Sequence, residues 1–400
     1  MQTGGTHRVV QPRETVARVS PYFGELGITR VANVTGLDHI GIPTVLVVRP
    51  NSRSLSVSQG KGVDLDAAKA SGIMEALEHF HAENIEHPLH FGSHAELARR
   101  RRVADVSRLP RYVRAFDPHQ PLLWIEAREW GSSAPVLVPY EMVHLNLTLP
   151  LPPGSGCFPV GSNGLASGNT LAEACAHAAW ELVERDAVAL FYVLTPEEQW
   201  RRRVLLDSVD DRDALELLAR LRQAKIRVGV WDVTSDVGIA SFYAAIVEDQ
   251  PDPFRPVGKA AGFGCHNDRG VALCRALSEA AQSRLTRITG SRDDFQREEF
   301  ELIRREATIE RQRAELDTPI DPPRRFTDVP SALFASFEED LGWIARRLAE
   351  AGLPELLFVD LSRPGLPVSV VRGVVPGLEG SADVPGYVPG ARALARGAAS

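Results

Sequence analysis

Two widely separated stretches of the chain repeat one pattern, a loop of small residues followed by a long helical run. The first begins at Gly60 and reads GKGVDLDAAKASGIMEALEH, and the second begins at Ala166 and reads ASGNTLAEACAHAAWELVER. Apolar residues recur in both at the three- and four-residue spacing of an α-helix. We therefore expect an internal repeat of loop and long helix, at about 55–85 and 161–191.

Each helix of the repeat carries two glutamates three residues apart, and a third helical run, RALSEAAQSR at 275–284, carries a similar pair. The three pairs are Glu75 with Glu78, Glu181 with Glu184, and Glu279 with Gln282. Residues three apart share one face of a helix, so each pair points in one direction. Because the surrounding residues are mostly apolar, we expect these carboxylates to be buried and to need partners.

A shared site for the five carboxylates and the amide would need positive charge. Two carboxylates about 8 Å apart in an effective dielectric of about 20 repel by roughly 2 kcal/mol, and several such pairs exceed what the stability of a domain tolerates. Oxygen ligands without cysteine favour a hard cation such as magnesium. The alternative is that the glutamates form surface pairs or buried salt bridges with Arg185 and Arg284. The recurrence of the pair in three apolar helices favours the metal site.

The loops before the repeated helices are suited to an anion. Hard cations that keep part of their water usually bind phosphates in proteins. In SQGKG, at 58–62, the glycines let backbone amides approach an anion and Lys61 adds positive charge, although the spacing differs from the Walker pattern. NGLASGNT, at 163–170, is a second loop of small residues. Ser71 lies one turn before Glu75 and is expected either to face the same site or to serve helix packing.

Length, composition and charge exclude several classes of protein. The chain has 400 residues, which suggests one large domain or two intimately joined ones. Its net charge of −7 argues against nucleic acid as a partner. No apolar run resembles a signal peptide or a membrane span. The four cysteines lack CxxC spacing, which argues against zinc and fits a cytoplasmic protein.

Strands and helices alternate along the chain, and several strands are hairpin candidates, so we expect an α+β or mixed α/β fold. We expect an N-terminal segment at 1–25, one large domain at 26–380 and a flexible C-terminal tail at 381–400. The predicted strands include 44–50 and 122–129, and the predicted helices include 64–84, 94–103, 170–191, 268–290 and 293–315.

Taken together, these motifs resemble the YcaO family of ATP-dependent enzymes that modify peptide backbones. The family pattern SxxxExxER begins here at Ser71 and has His79 where the family has arginine. A second pattern, ExxER, is intact and ends at Arg185, and a third, ExxQ, begins at Glu279. The likeness covers about 20–300, with weaker support to about 380.

The resemblance implies a YcaO-like fold around a groove that binds ATP and Mg²⁺. It also implies phosphorylation of a backbone amide oxygen in a ribosomally made precursor peptide or protein. Attack by a Cys, Ser or Thr side chain then yields an azoline, and attack by sulfide yields a thioamide. LSVSQGKG and TGLDHIGIP are most similar to members that form thioamides with a TfuA-like partner. The tail, GARALARGAAS, lacks the Pro-x-Pro-x-Pro ending of many azoline-forming members, which favours thioamide formation or action without a partner.

The resemblance also implies roles for individual residues. The magnesium ligands are Glu75, Glu78, Glu181 and Glu184. The nucleotide-binding candidates are Lys61, Ser71, Arg185, Glu279, Gln282, Arg284, Arg30, Arg292 and Arg13. An arginine among these has a surface ion pair as its alternative role. His266, in GFGCHND, is a candidate for positioning the substrate or a plain loop histidine. Peptide delivery needs a TfuA-like or E1-like partner or direct recognition, and the family makes a homodimer plausible.

Two other functions remain open at this point. Glu78 and His81 have the ExxH spacing of carboxylate-bridged di-iron enzymes, but such enzymes need the motif twice on a four-helix bundle. No second ExxH accompanies Glu181, and the predicted strands argue against a bundle. A non-catalytic scaffold that presents peptides is the other alternative, and the intact glutamates argue against it.

Overall fold

The computed structural model describes residues 2–3, 5–112, 116–132, 134–250, 256–292, 297–298, 301, 305–319, 324–382, 384 and 386–399. The helices are α1 Pro12–Val19, α2 Leu65–Glu83, α3 His94–Leu97, α4 Leu171–Tyr192, α5 Pro196–Trp200, α6 Arg212–Gln223, α7 Arg269–Thr289, α8 Glu306–Asp317, α9 Phe337–Glu350 and α10 Ala391–Ala399. The strands are β1 Gln2–Thr3, β2 Thr6–His7, β3 Arg30–Asn33, β4 Thr44–Val48, β5 Val57–Lys61, β6 Leu89–Ser93, β7 Pro121–Glu129, β8 Pro135–Pro139, β9 Leu165–Gly168, β10 Val204–Leu205, β11 Ile226–Asp232, β12 Ser241–Glu248, β13 Ala260–Cys265, β14 Arg324–Arg325, β15 Leu357–Asp360 and β16 Ser369–Val374.

Three antiparallel sheets form most of the β-structure. Two of them have three strands each, in the orders β3-β4-β5 and β11-β12-β13, and the third has six strands in the order β6-β7-β15-β16-β9, with β8 on β7. In the first sheet Val45 of β4 lies opposite Gly60 of β5. In the six-stranded sheet Arg372 of β16 lies opposite Leu165 of β9.

Each of these sheets ends in a strand that leads directly into a long helix. Strand β5 precedes α2, β9 precedes α4, and β13 precedes α7. The helices begin at Asp64, Thr170 and Asp268, whose side chains accept hydrogen bonds from backbone amides of the first turn. The internal repeat is therefore a strand–loop–helix unit, and the third glutamate helix belongs to a unit of the same kind.

Glycines on these strands let the helix backbone lie directly against the strand. A Cβ on Gly60 would lie 2.0 Å from the carbonyl oxygen of Ala68 in α2. A Cβ on Gly264 would lie 2.0 Å from the carbonyl oxygen of Ala272 in α7. This close approach holds one face of each helix at a fixed height over its strand, and that face carries the glutamates.

Two predicted helices differ from the structure. The run predicted at 94–103 is helical only in α3, His94–Leu97. Beyond α3 the chain pairs with β8, where the Leu137 amide donates to the Arg102 carbonyl oxygen at 3.0 Å and the Ala104 amide donates to the Leu137 carbonyl oxygen at 2.9 Å. The helix predicted at 293–315 is matched in its C-terminal part by α8, Glu306–Asp317. Residues 293–296, 299–300 and 302–304 lie outside the described residues.

The C-terminal tail contains a helix that contacts the rest of the chain. Arg392 of α10 forms ion pairs with Asp186 of α4 and with Asp236. The carboxylate of Glu379 accepts hydrogen bonds from the Tyr387 hydroxyl and from the Ala393 amide, at 2.8 and 2.9 Å. The flexibility of the tail stays a prediction. In the described part of the chain, every helix is too short or too polar to cross a membrane.

We expect Gly60→Ala to lower the free energy of unfolding by about 3 kcal/mol, because the added methyl group forces α2 away from β5. Urea unfolding followed by circular dichroism measures this change. Gly342→Ala in α9 is the matched control, since a Cβ there meets nothing within 4 Å. The control should be neutral or stabilising by up to about 1 kcal/mol. Equal effects of the two substitutions would contradict the close-packing argument.

Candidate active site

The three glutamate helices meet, and their carboxylates are tied to one another's strands. Glu75 accepts a hydrogen bond from the Gln59 amide of β5 at 3.4 Å, and Glu78 accepts one from the Ser167 hydroxyl of β9 at 2.6 Å. Glu279 of α7 accepts bonds from the Phe263 amide of β13 at 3.2 Å and from Lys61 at 2.5 Å. Helices α2 and α7 are thereby joined to their own strand or to that of another unit. The carboxylates of α4 lie close enough to repel those of the other two helices, so the three acidic faces share one groove.

The carboxylates of this groove hold their protons more tightly than ordinary glutamates. Burial raises the pKa of Glu75 and of Glu181 to about 7, and that of Glu78 to about 8. Repulsion between neighbouring carboxylates adds to the effect, for example from Glu181 on Glu75. Burial also raises the pKa of Glu184. The groove therefore disfavours its own negative charge in the absence of a cation.

Glu279 differs from the other carboxylates. Burial acts upward on its pKa, but Lys61 and Arg185 together hold the pKa of this group below its ordinary value. Glu279 is consequently ionised, and Lys61 is committed to it by the 2.5 Å ion pair. Lys61 can meet a phosphate only while it also neutralises Glu279.

The donor set fits a hydrated magnesium ion. Among the described residues, no three His, Cys, Asp or Glu side chains lie close enough to hold a metal by themselves. Magnesium usually takes only one or two carboxylates and completes its shell with water and phosphate oxygens. The groove offers oxygen ligands, and the Gln282 Oε1 atom is buried there without a hydrogen-bond partner. The residues therefore fit Mg²⁺ bound together with phosphates.

A small basic cavity lies beside the groove. Its volume is about 100 Å³, and its lining includes Lys61, Ser71, Asn169 and Arg275. The N-terminal residues 5–15 contribute to its walls and narrow it to less than the roughly 300 Å³ of a typical ligand site. The Arg275 Nε atom is buried without a partner, so this cavity presents an unused donor as well as positive charge.

The N-terminal segment is tied to α4 over this cavity. Arg8 forms an ion pair of 3.0 Å with Glu173, and the Thr15 hydroxyl donates to the Asn169 side chain at 3.1 Å. Glu173 is fully buried and also accepts from the Asn169 amide at 3.2 Å. These contacts close the small cavity on the side of the N-terminus.

A larger cavity of about 500 Å³ opens beside α4. One end is polar and is lined by His79, Glu181, Arg185, Arg292 and Arg372. The remaining walls are mostly apolar and include Leu55, Tyr112, Leu145, Leu147, Val384 and Tyr387. We call it the large cavity. Glu181 lies on its surface, so the carboxylate groove and the large cavity are continuous.

The structure divides the sequence-predicted residues into two groups. The first group lies in the groove or lines one of the two cavities beside it. It consists of Lys61, Ser71, Glu75, Glu78, Glu181, Glu184, Arg185, Glu279, Gln282 and Arg292. The others are Arg13, Arg30, His266 and Arg284, which line neither cavity.

The second group has other surroundings. Arg284 is buried in ion pairs with Asp38, at 2.9 Å, and with Glu248, which favours a structural role. Arg13 of α1 and Arg30 of β3 are exposed. His266 is buried with its ring 4.1 Å from that of Trp180 and accepts a hydrogen bond from the Asp268 amide, as a structural loop histidine does.

Sequence reasoning missed five residues of the site, namely Arg8, Asn169, Glu173, Arg275 and Arg372. Arg275 lies four residues before Glu279, so helical spacing places both on one face and could have identified it. Asn169 lies in the loop of small residues already singled out. Arg8, Glu173 and Arg372 are brought to the site by tertiary packing and carry no local signal.

Comparisons with known proteins agree with this geometry. A family model described as YcaO cyclodehydratase, ATP- and Mg²⁺-binding, matches residues 59–379. An uncharacterized protein in the tfuA 3′ region of Rhizobium leguminosarum bv. trifolii is 38% identical over 93% of this chain and 88% of its own length. A protein of Methanothermobacter thermautotrophicus is 35% identical over 93% of this chain and 95% of its own. The chain belongs to the YcaO cyclodehydratase family.

Solved structures share the fold. YcaO from Methanopyrus kandleri, bound with AMPPCP and Mg²⁺, has a TM-score of 0.73 at 22% identity, over 95% of this chain and 94% of that one. A heterocyclase in complex with substrate and cofactor also has a TM-score of 0.73, at 23% identity over 94% of this chain. This chain spans about half of that heterocyclase, 53% of its length.

These findings confirm three predictions, the YcaO family, the α+β YcaO-like fold, and ATP with Mg²⁺ as cofactors. The roles of individual residues stay predictions. The mixed fold also removes the four-helix bundle that a di-iron site requires.

The raised pKa values of Glu75, Glu78 and Glu181 give a stability profile with a definite sign. Their folded pKa values, about 7, 8 and 7, exceed the ordinary 4.5, so the stabilisation they contribute is complete below pH 4.5 and is lost as pH rises through about 7 to 8. We expect the metal-free protein to lose about 5 kcal/mol between about pH 6 and about pH 9, measured by urea unfolding. Addition of Mg²⁺ with AMPPCP should raise the free energy of unfolding more at about pH 9 than at about pH 6, because ionised carboxylates bind the cation.

Glu78→Gln is the control for this profile, because an amide of nearly the same shape does not titrate. We expect this variant to be more stable than the wild type at the higher pH and to show a shallower pH dependence. Superimposable profiles for the two proteins would contradict the assigned burial and repulsion.

Proposed function

We propose that this enzyme uses ATP and Mg²⁺ to activate a backbone amide of a ribosomally made peptide or protein, and that it forms a thioamide with a TfuA-like partner. The family description supports the use of ATP and Mg²⁺. The relative in the tfuA 3′ region supports a TfuA-like partner. Complexes with substrate and within a multi-protein synthetase, seen for structures of the same fold, are in line with a peptide substrate and partner proteins.

One observation carries this proposal, the placement of a carboxylate groove between two cavities of different character. The small cavity has the lysine, serine and arginine that suit phosphates, and the large cavity is wide enough for a segment of peptide. Glu181 borders the large cavity, and Lys61 borders the small one while it contacts Glu279. A phosphoryl group held in the groove would therefore lie next to a peptide held in the large cavity.

The residues of the groove have distinct tasks in this reaction. When bound, ATP supplies the phosphoryl group and Mg²⁺ neutralises its charge. The glutamates of α2 and α4 hold the cation, and Lys61 and Arg185 hold phosphate oxygens. The apolar walls of the large cavity exclude water, which strengthens these charge interactions and suppresses hydrolysis. Positioning and charge stabilisation account for this chemistry, so no covalent intermediate with the enzyme is needed.

The bonds change in a balanced order. The electron pair of hydrosulfide forms a bond to the amide carbon, and the carbonyl π pair moves to oxygen. That oxygen bonds to the γ-phosphorus while the bond to the ADP oxygen breaks. Phosphate then leaves with the C–O pair, the S–H proton is lost to solvent, and a C=S bond remains. A Cys, Ser or Thr side chain of the peptide as nucleophile would instead give an azoline, which is the second candidate product.

The cysteines of the chain do not supply the sulfur nucleophile. Burial raises the pKa of Cys175 and of Cys265 to about 12 and holds those of Cys157 and Cys274 above the ordinary value. The thiolate, which is the reactive form, is therefore scarce at neutral pH. The sulfur must come from outside the chain, as a partner-assisted thioamidation requires.

Glu75→Gln and Glu184→Gln should each abolish ATP hydrolysis without unfolding the protein, because the amide cannot neutralise Mg²⁺. Hydrolysis is measured as phosphate release, and folding is measured as the melting temperature. Glu197→Gln is the matched control, since Glu197 is an exposed residue paired with Arg201. Wild-type turnover in both groove variants would remove the proposed site.

The product is tested by mass spectrometry of the peptide encoded beside the gene. The protein is incubated with that peptide, ATP, Mg²⁺, sulfide and the neighbouring TfuA-like protein. We expect a mass gain that corresponds to replacement of oxygen by sulfur, and no product when ATP is omitted. Loss of one water without sulfur incorporation would instead identify the azoline-forming reaction. ATP binding without any peptide product would contradict the proposed reaction and would favour the alternative of a non-catalytic scaffold.

A further inference from the structure

Arg372 of β16 is a buried cation whose hydrogen-bond partners are neutral. The residue is 1% exposed. Its Nη1 atom donates to the Asn163 carbonyl oxygen at 2.7 Å, and its Nη2 atom donates to the Val143 carbonyl oxygen at 3.0 Å. Burying a charge costs several kcal/mol when an ion-pair partner is missing. Within the described part of the chain, every carboxylate lies beyond ion-pair distance of Arg372, so its charge is available to something else.

One nitrogen of this guanidinium makes no hydrogen bond. The Nε atom of Arg372 is buried without a hydrogen-bond partner, and the residue lines the polar end of the large cavity beside Glu181. An unsatisfied buried donor costs about 1–3 kcal/mol, so native proteins rarely keep one without a function. The two bonds to backbone carbonyls fix the plane of the guanidinium, so its positive charge is held in place before any ligand binds.

The charge of Arg372 persists at neutral pH. Burial lowers the pKa of Arg372 to about 10, while Glu181 and Glu78 act to raise it. The residue is thus positively charged next to the carboxylates that are expected to hold magnesium. A group that becomes negative at this end of the large cavity would be attracted both by the cation of the groove and by Arg372.

We infer that Arg372, fixed at the polar end of the large cavity, stabilises with its positive charge the negative charge that develops on the oxygen of the substrate amide. When the nucleophile adds to the amide carbon, the π pair moves to this oxygen, and Arg372 stabilises the resulting negative charge without giving up its own proton. The oxygen is then held for bond formation with phosphorus. This inference rests on the proposed function, because it needs a peptide amide in the large cavity.

A guanidinium fixed by two backbone carbonyls suits this task better than Arg185 or Arg292, two other arginines of the large cavity. Arg185 already lies 3.7 Å from Glu184, and its guanidinium lies over the Phe263 ring. Arg292 lies on the exposed side of the large cavity. A preorganised donor aimed at the atom where charge develops contributes most to a rate, because it need not reorient during the reaction.

The test compares Arg372→Ala and Arg372→Lys with Arg203→Ala. Arg203 is a matched control because it is also buried and donates to backbone carbonyl oxygens, those of Leu316 and Thr318, away from the large cavity. Both substitutions at Arg372 should lower kcat for the peptide product by about 100-fold or more. The affinity for AMPPCP with Mg²⁺ should change by less than about threefold, because the loss is in the transition state.

Arg372→Lys keeps the positive charge in nearly the same volume, so it replaces Arg372→Ala in the test if that variant folds poorly. The melting temperature of each variant shows whether it is folded. Added guanidinium chloride at low concentration should partly restore kcat in Arg372→Ala and leave Arg203→Ala unchanged, which a purely structural role would not produce. An Arg372→Ala enzyme with normal kcat, or without rescue, overturns the inference alone. A wild-type protein that binds AMPPCP and forms no peptide product overturns the proposed function and the inference with it.

Discussion

Crowding of carboxylates in a partly buried groove is the constraint on which the rest of this structure depends. Glu75, Glu78 and Glu181 have pKa values raised by burial to about 7 or 8, so the empty groove resists its own charge. A divalent cation with phosphates removes that conflict, and its binding free energy adds to stability. The site is therefore incomplete without its ligand. A few buried carboxylates are enough to make the stability of the site depend on bound ATP and Mg²⁺.

The fold holds these charges together by repeating one local device. A strand with a glycine lies directly against the helix that follows it, and a capping residue sets where that helix begins, as at Gly60 and Asp64. Three copies of this unit bring three acidic faces to one groove. The C-terminal residues that follow β16 complete the large cavity, where Tyr387 is held by Glu379. The large cavity thus combines residues of the groove helices, such as His79 and Glu181, with C-terminal residues such as Tyr387.

The sequence predicted the parts of the site that follow local rules. Helical spacing identified the three glutamate pairs, and the loops of small residues marked the turns before the helices. It did not predict Arg372, because a lone arginine in a strand looks like a surface residue until the fold buries it. It also overrated Arg284, whose partners Asp38 and Glu248 are distant in sequence. Tertiary contacts carry no periodic signal, and for the same reason the pairing of residues 102–104 with β8 was not predicted.

Anomalous diffraction from crystals grown with Mn²⁺ and AMPPCP tests the central claim most directly. Mn²⁺ replaces Mg²⁺ at oxygen sites and reports its own position. Peaks bounded by the carboxylates of α2, α4 and α7, next to the phosphates of the nucleotide, are the predicted result. A bound nucleotide with its metal outside this groove, and with Glu75 and Glu184 unligated, would contradict the account.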